Sequence, residues 1–371
     1  MIQQLQINNF KAHKCLDMST AGLNLLTGLN GMGKSSVIQA LLLLRQSYLA
    51  NALPQGLKLN GNLVEIGIAA DAFNKLAETE ATLDIKLSEQ LYWDFRRNNG
   101  DFLPIQASQT IGIDECGLFN NNFQYLSAER LSPREEHRTN TFAVEINRQL
   151  SEDKGQGEYA VHFLAHYAHI PVHPLLCHPN ARDNSLIKQV DAWMSEISPG
   201  IKTVIEDNLQ NVKLTYQYDN GIDYTDPFKP ENVGFGVSYA LPMVVATLAA
   251  PGNSLLLFEN PESHIHPAGQ AKLAQLFALA AQTGVQLFIE THSDHIINGT
   301  LVSIKNHLEG NGGVAPDNVR IYYFRRSSES AYDTECVLVP IRPDGRIKHP
   351  PTGFFDQFAQ DLRFLMRSRN G

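Results

Sequence analysis

Cysteine is scarce: Cys15, Cys116, Cys177 and Cys336 are the only four in 371 residues, and no two form a CxxC pair. That spacing excludes a disulfide framework and a zinc ribbon, and reduced thiols are expected. Long apolar runs are missing too. No segment holds about 18 uninterrupted apolar residues, so no membrane span is expected. The first residues, Met1-Ile2-Gln3-Gln4-Leu5-Gln6-Ile7, alternate like a strand and lack the apolar core of a signal peptide, which points to a cytoplasmic protein. Positive charge is in deficit, with 30 Lys and Arg against 39 Asp and Glu and a net charge of −9. This argues against a standing basic surface for nucleic acid, and any such contact must be local or arise on assembly. Sustained heptads are absent as well, so no long coiled coil interrupts the chain. What remains is an ordinary globular composition, 43% hydrophobic and 19% charged, long enough for one large domain or two to three smaller ones.

Against these absences one stretch stands out. Gly28-Leu29-Asn30-Gly31-Met32-Gly33-Lys34-Ser35-Ser36 satisfies G-x-x-x-x-G-K-[ST] at every fixed position. The apolar run Leu23 to Thr27 feeds it, and a helical stretch from Ser36 to about Ala50 leaves it, which is the strand–loop–helix context of a phosphate-binding loop. Its glycines let backbone N–H groups turn inward on phosphate at a helix N-terminus. Asn30, Gly31, Gly33, Lys34, Ser35 and Ser36 are the candidate nucleotide-binding residues. Lys34 would reach the β- and γ-phosphates, and the Ser35 hydroxyl would sit on Mg²⁺.

The rest of the chain reads as an α/β protein. Leu5, Ile7 and Phe10 alternate ahead of the buried strand at 23–26. Residues 57 to 126 look strand-rich, with Leu63–Ile68, Ala81–Leu87 and Phe123–Leu126 as candidates, and consecutive strands suggest an antiparallel subdomain. Arg130 and Arg134 follow it, in what reads as a solvated loop with an ion pair, against contact with phosphate or a partner. From about 140 to 215 the pattern turns helical. His162, His166 and His169 fall at helical spacing on one face, with His173, Cys177 and His178 beyond. Interrupting prolines and the absence of paired ligand spacing favour packed or surface histidines over a zinc site. Trp193 is read as core, and Val212–Tyr218 as a strand.

A second concentration of chemistry lies between 234 and 294. Gly234-Phe235-Gly236-Val237-Ser238 opens an apolar helix, and the strand at 254–258 ends in Glu259-Asn260-Pro261-Glu262. After Ser263-His264-Ile265-His266-Pro267 and another helix, the strand at 285–290 ends in Thr291-His292-Ser293-Asp294. A buried strand ending in a carboxylate is suited to hold Mg²⁺ at the carboxyl edge of a sheet, which makes Ser35 and Glu259 the candidate metal ligands. The next strand would bring the His292 imidazole to the γ-phosphate. Glu259, Glu262 and His292 are the candidate catalytic residues.

This ordered series resembles the ABC-type ATPase heads of the SMC, RecF and OLD-like proteins. It is most similar to prokaryotic AAA ATPases carrying a C-terminal domain of unknown function, whose tail Gly345-Arg346-Ile347 and Gly353-Phe354-Phe355-Asp356-Gln357 match. The resemblance covers nearly the whole chain. It implies a P-loop NTPase of ABC-head type, with a central mostly parallel sheet, an antiparallel β-subdomain and a helical subdomain. The division expected is an N-terminal ATPase lobe at 1–130, a helical lobe at 131–232, a C-terminal ATPase lobe at 233–310 and a strand/helix region at 311–371. The cofactors implied are ATP and Mg²⁺, with ATP rather than GTP inferred from the family. A head-to-tail homodimer would place Lys34 and Ser35 of one copy against the Gly234–Ser238 signature of the other, with Gly236 and Ser238 as its nucleotide-binding residues and 264–269 lining the seam. Two features depart from the family pattern. The signature is not LSGGQ, and Asn260 stands where the catalytic glutamate usually is, so slow hydrolysis is expected. No second catalytic centre is evident after residue 300, so a partner effector is expected, such as a nuclease in anti-phage defence or DNA maintenance. The alternative is a RecF-like DNA-binding sensor ATPase in DNA repair. A transporter subunit fits less well, given the strand-rich 57–126 segment.

Overall fold

The computed structural model describes residues 1–78, 80–208, 211–327, 333–355 and 357–366. Its centre is a six-stranded sheet in the order β15-β14-β3-β13-β12-β8. The strands are β3 (Leu23–Gly28), β8 (Phe123–Leu126), β12 (Leu255–Glu259), β13 (Gln286–Glu290), β14 (Val319–Arg326) and β15 (Thr334–Leu338). All neighbours run parallel except β14 and β15. Buried on both faces, β3, β8, β12 and β13 read as near-continuous apolar runs, as parallel strands do, whereas the antiparallel edge strand β15 is partly exposed. Their period of two still sorts side chains between two cores. Leu255, Leu257 and Phe288 join the core around helix α1 (Lys34–Leu49), whereas Leu256, Phe258, Leu287 and Ile289 join the core of the opposite face.

A second sheet, antiparallel, covers α1 from the other side. Its order is β2-β1-β5-β6-β7-β4, built from β1 (Gln4–Phe10), β2 (His13–Ser19), β4 (Gly56–Lys58), β5 (Leu83–Ser88), β6 (Leu91–Phe95) and β7 (Phe102–Thr110). Clamped between two sheets, α1 buries residues all round, which explains why its sequence shows no polar stripe. The expected antiparallel subdomain is therefore present, with differences in detail. Leu63–Ile68 is no strand: only a lone Asn60–Glu65 bridge forms there before a single turn, α2 (Ala69–Ala72). Phe123–Leu126 is a strand, but of the parallel sheet.

The opposite face carries α3 (Ala160–His166), α4 (Leu186–Ile197), α5 (Phe235–Ala249), α6 (Pro267–Gln282) and α7 (Asp294–Leu308). The stretch read as helical also contains a three-stranded antiparallel sheet, β10-β11-β9, from β9 (Glu136–Arg138), β10 (Ile201–Asn208) and β11 (Asn211–Tyr218). Here tertiary pairing overrides a weak local pattern. Helix α3 ends at His166, so His169 does not share its face. Among the described residues no three His, Cys, Asp or Glu side chains gather as a metal site. Instead, His178 lies 3.0 Å from Glu196 and edge-on to Trp193, whose indole donates to the Leu176 carbonyl. The last helix, α8 (Gln357–Leu365), leaves Leu362, Phe364 and Leu365 exposed, as is Met366 after it. Among the described residues no helix is long and apolar enough to cross a membrane.

Candidate functional site

The phosphate-binding loop is shaped by what lies under it. Gly28 has φ +136°, and a Cβ there would stand 2.2 Å from the Phe324 carbonyl oxygen of β14. Gly33 has φ +85°, and its Cβ would meet the His13 ring at 2.8 Å. Both positions therefore require glycine. His13, fully buried, lies with Nε2 2.9 Å from the Gly33 carbonyl oxygen. Burial holds its imidazole below the usual histidine range, so the ring is neutral and Nε2–H donates, leaving Nδ1 without a partner. Sequence reasoning passed His13 over, because only the fold brings β2 beneath the loop.

Lys34 is buried and coils back over its own loop, donating from Nζ to the carbonyls of Gly28 at 3.0 Å and Leu29 at 2.9 Å. Burial lowers its pKa, while Glu290 and Glu262 oppose that shift. Ser35 Oγ donates to Glu290 Oε1 at 3.0 Å. Asn30 and Gly31 are exposed at the loop's tip, and Ser36 is buried beneath it.

The carboxyl edge of the sheet gathers three acids. Glu259 and Glu290 are register partners at the ends of β12 and β13. Glu259 accepts from Tyr125 Oη at 3.3 Å and from the Ala128 N–H at 3.4 Å. Burial, followed by the neighbouring Glu290, pushes its carboxyl up to about 7. Glu290 is likewise raised by burial, and its Oε2 is buried without a hydrogen-bond partner. Glu290 was missed because the strand–acid pattern was sought after the first strand alone. Glu262 reaches across to the end of β13, accepting from Thr291 Oγ1 at 2.8 Å and from the His292 N–H at 2.7 Å. The exposed His292 ring bonds the Gly28 backbone and is lowered by burial and by Lys34.

These donors fit a hard cation beside a phosphate. The Ser35 hydroxyl, the Glu259 carboxyl and the orphaned Glu290 oxygen supply the one or two carboxylates and hydroxyl that Mg²⁺ takes when phosphates and water complete its shell.

Arg130 is not the solvated residue its loop suggested. It is only 4% exposed. Its guanidinium donates to the carbonyls of Ser127 (2.6 Å), Glu259 (2.8 Å) and Asn260 (2.8 Å) and lies 5.2 Å over the Tyr239 ring of α5. One side chain thereby ties the loop after β8, the turn after β12 and the start of α5. Asn260 itself sits at φ +45°, a left-handed conformation that asparagine tolerates, with its N–H on the Glu290 carbonyl.

The start of α5 amends one expectation. Ser238 Oγ is buried beside the Tyr216 phenol rather than open at the helix start, so it is not presented to a second chain here. Gly234 and Phe235 are the exposed residues, and Phe235 is 53% exposed. Gly236 is buried where a Cβ would meet the His264 carbonyl oxygen at 2.4 Å. The Phe235 and Tyr239 rings pack on His264, at 5.6 and 4.8 Å between centroids, so signature and seam loop form one unit.

A family described as "AAA domain, putative AbiEii toxin, Type IV TA system" matches residues 23–298. One described as "Protein of unknown function (DUF3696)" matches residues 314–365. No curated protein matches. Among solved structures, an Smc head bound to the C-winged helix domain of ScpA is 14% identical with a TM-score of 0.53, over 91% of this chain and 98% of that one. An Smc head with an extended coiled coil, bound to the C-terminal domain of ScpA derived from Pyrococcus furiosus, is 12% identical with a TM-score of 0.52, over 98% of both chains. At these identities the likeness is one of fold: this chain is built as an ABC-type ATPase head.

Proposed function

Because the chain belongs to the AAA-domain family that matches residues 23–298, we propose that it binds ATP with Mg²⁺ and hydrolyses it slowly as a nucleotide-controlled head. The observation that carries this is the convergence of Lys34, Ser35, Glu259, Glu262, Glu290 and His292 at one edge of the parallel sheet. Lys34 would exchange its two carbonyl partners for phosphate oxygens, a charge-assisted contact stronger than those it leaves. Bound Mg²⁺ would neutralise phosphate charge and favour the ionised forms of Glu259 and Glu290. Glu262, whose carboxylate accepts from Thr291 Oγ1 and the His292 N–H, would act as the base that Asn260 cannot be.

In this reading a second copy completes the site. The free N–H groups at the start of α5, around Gly234 and Phe235, would face the γ-phosphate of the other chain head-to-tail. ATP then joins two heads and hydrolysis releases them. The nucleotide state would pass to a partner effector, a nuclease or other toxic protein in prokaryotic defence. That last step rests on analogy with ATPase heads that lack an effector of their own.

The test is solution mass with and without ATP and Mg²⁺, alongside phosphate release. Conversion of monomer to dimer with slow release supports the reading; unchanged mass with brisk turnover refutes it. Lys34→Ala should abolish ATP binding, and retained binding would displace the phosphate site from this loop.

A further inference from the structure

At the far end of α1 from the phosphate loop lies a cleft of about 450 Å³ that the nucleotide site does not use. Arg45 stands eleven residues after Lys34, roughly 16 Å further along the helix. The cleft opens where three parts of the fold meet: the end of α1, the 58–63 loop of the antiparallel lobe, and the 147–152 segment beside β8. Junctions of this kind, at this volume, are where small-molecule sites form.

The wall is unusual in its charge. Arg45 is 3% exposed, yet among the described residues no carboxylate pairs with it. Its Nη1 donates to the Leu118 carbonyl at 2.8 Å and the Asn120 carbonyl at 2.7 Å, and its guanidinium lies 4.7 Å over the Phe123 ring. These contacts fix the plane of the fork and employ one of its nitrogens; the other donors have no partner among the described residues. A buried guanidinium without a counter-ion is costly, and an oxyanion is its natural complement. Lys58 adds a second cation to the wall, also without an ion-pair partner among the described residues. Asn62, Asn121 and Gln149 line it with amides, those of Asn121 and Gln149 held in place by donating to the Ile146, Asn121 and Asn147 carbonyls. The single acid, Glu152, accepts from the Asn140 amide at 3.2 Å, and burial and Glu158 push its carboxyl up rather than Arg45 drawing it down. The negative end of the α1 dipole is covered as well. The carbonyls of Gln46, Ser47 and Tyr48 already accept N–H groups from residues 50 to 53.

We propose that this cleft is a second binding site, for a small organic oxyanion whose phosphate or carboxylate is held by Arg45 and Lys58 and whose polar body meets the amide wall. The volume exceeds what inorganic phosphate fills, so the ligand carries a further hydrogen-bonding body.

Calorimetric titration of the full chain with AMP, citrate and inorganic phosphate tests this, in wild type and in Lys34→Ala. Saturable binding of AMP or citrate, retained in Lys34→Ala, is expected, and which of the two binds distinguishes a phosphate from a carboxylate ligand. Lys58→Gln should weaken binding about tenfold, and Glu152→Gln should strengthen it severalfold by removing the only like charge; both leave the Arg45 contacts intact. Absence of saturable binding by all three probes overturns the proposal. So does binding that vanishes in Lys34→Ala and ignores both cleft substitutions, since that ligand occupies the phosphate loop.

Discussion

Asn260 and Glu262 show how much a single position's backbone decides. Asparagine accepts φ +45° at 260 with little strain, whereas glutamate there would cost on the order of 1 kcal/mol. Restoring the family's usual acid at this turn would therefore carry a backbone strain that asparagine avoids. We expect Asn260→Glu to leave phosphate release unimproved and Glu262→Gln to slow it about 100-fold or more, with ATP affinity retained. Single-turnover phosphate release reads both; a Glu262→Gln rate equal to wild type would move the base elsewhere. A second residue carries a pH signature. Burial holds His137 down at about 4, against 6.5 for a free imidazole. Between those values the unfolded chain binds the extra proton, so stability is intact above 6.5 and is lost as pH falls toward 4, by on the order of 3 kcal/mol. Urea midpoints at pH 7.5 and 4.5 measure it. His137→Gln should flatten the difference, and an unchanged acid loss in that variant would assign it to other groups.

Among the elements, the joints carry the information. Arg130 closes three of them with one guanidinium, so Arg130→Met should strand the carbonyls of Ser127, Glu259 and Asn260 and cost about 3 kcal/mol or more. Arg130→Lys should restore part of the stability but less of the turnover, since lysine lacks the planar fork. Thermal melts and kcat compared across the pair separate support from positioning; equal recovery of both would reduce Arg130 to a scaffold residue. The elements around the loop were legible in the sequence because each announces itself locally. The phosphate loop has its glycines, α1 follows it without a break, and β12 and β13 are short apolar runs closed by polar motifs. What escaped was non-local. The burial of Ser238 Oγ beside Tyr216 depends on β11 packing against α5, which no local motif announces. Glu290 needed the β12–β13 register to become Glu259's partner, and β10 is visible only once β11 pairs with it. Arg130 had the composition of a surface loop and the environment of a core.

For the molecule as a whole, the central sheet joins what sequence families divide. One family match ends at residue 298 and the other begins at 314, yet β14, from the second, is hydrogen-bonded to β3, from the first. A chain ending near residue 310 should therefore lose more than its tail: it would bare one edge of β3 beside the phosphate loop and aggregate. Size-exclusion chromatography of such a truncation should show no folded monomer, and a well-behaved one would make β14 dispensable. The same pairing has a consequence in time. During synthesis β3 precedes its two neighbours, at 286–290 and 319–326, by roughly 15 to 60 seconds at ordinary elongation rates. Through that interval the nascent chain carries a nucleotide loop on a strand that has neither of its sheet neighbours.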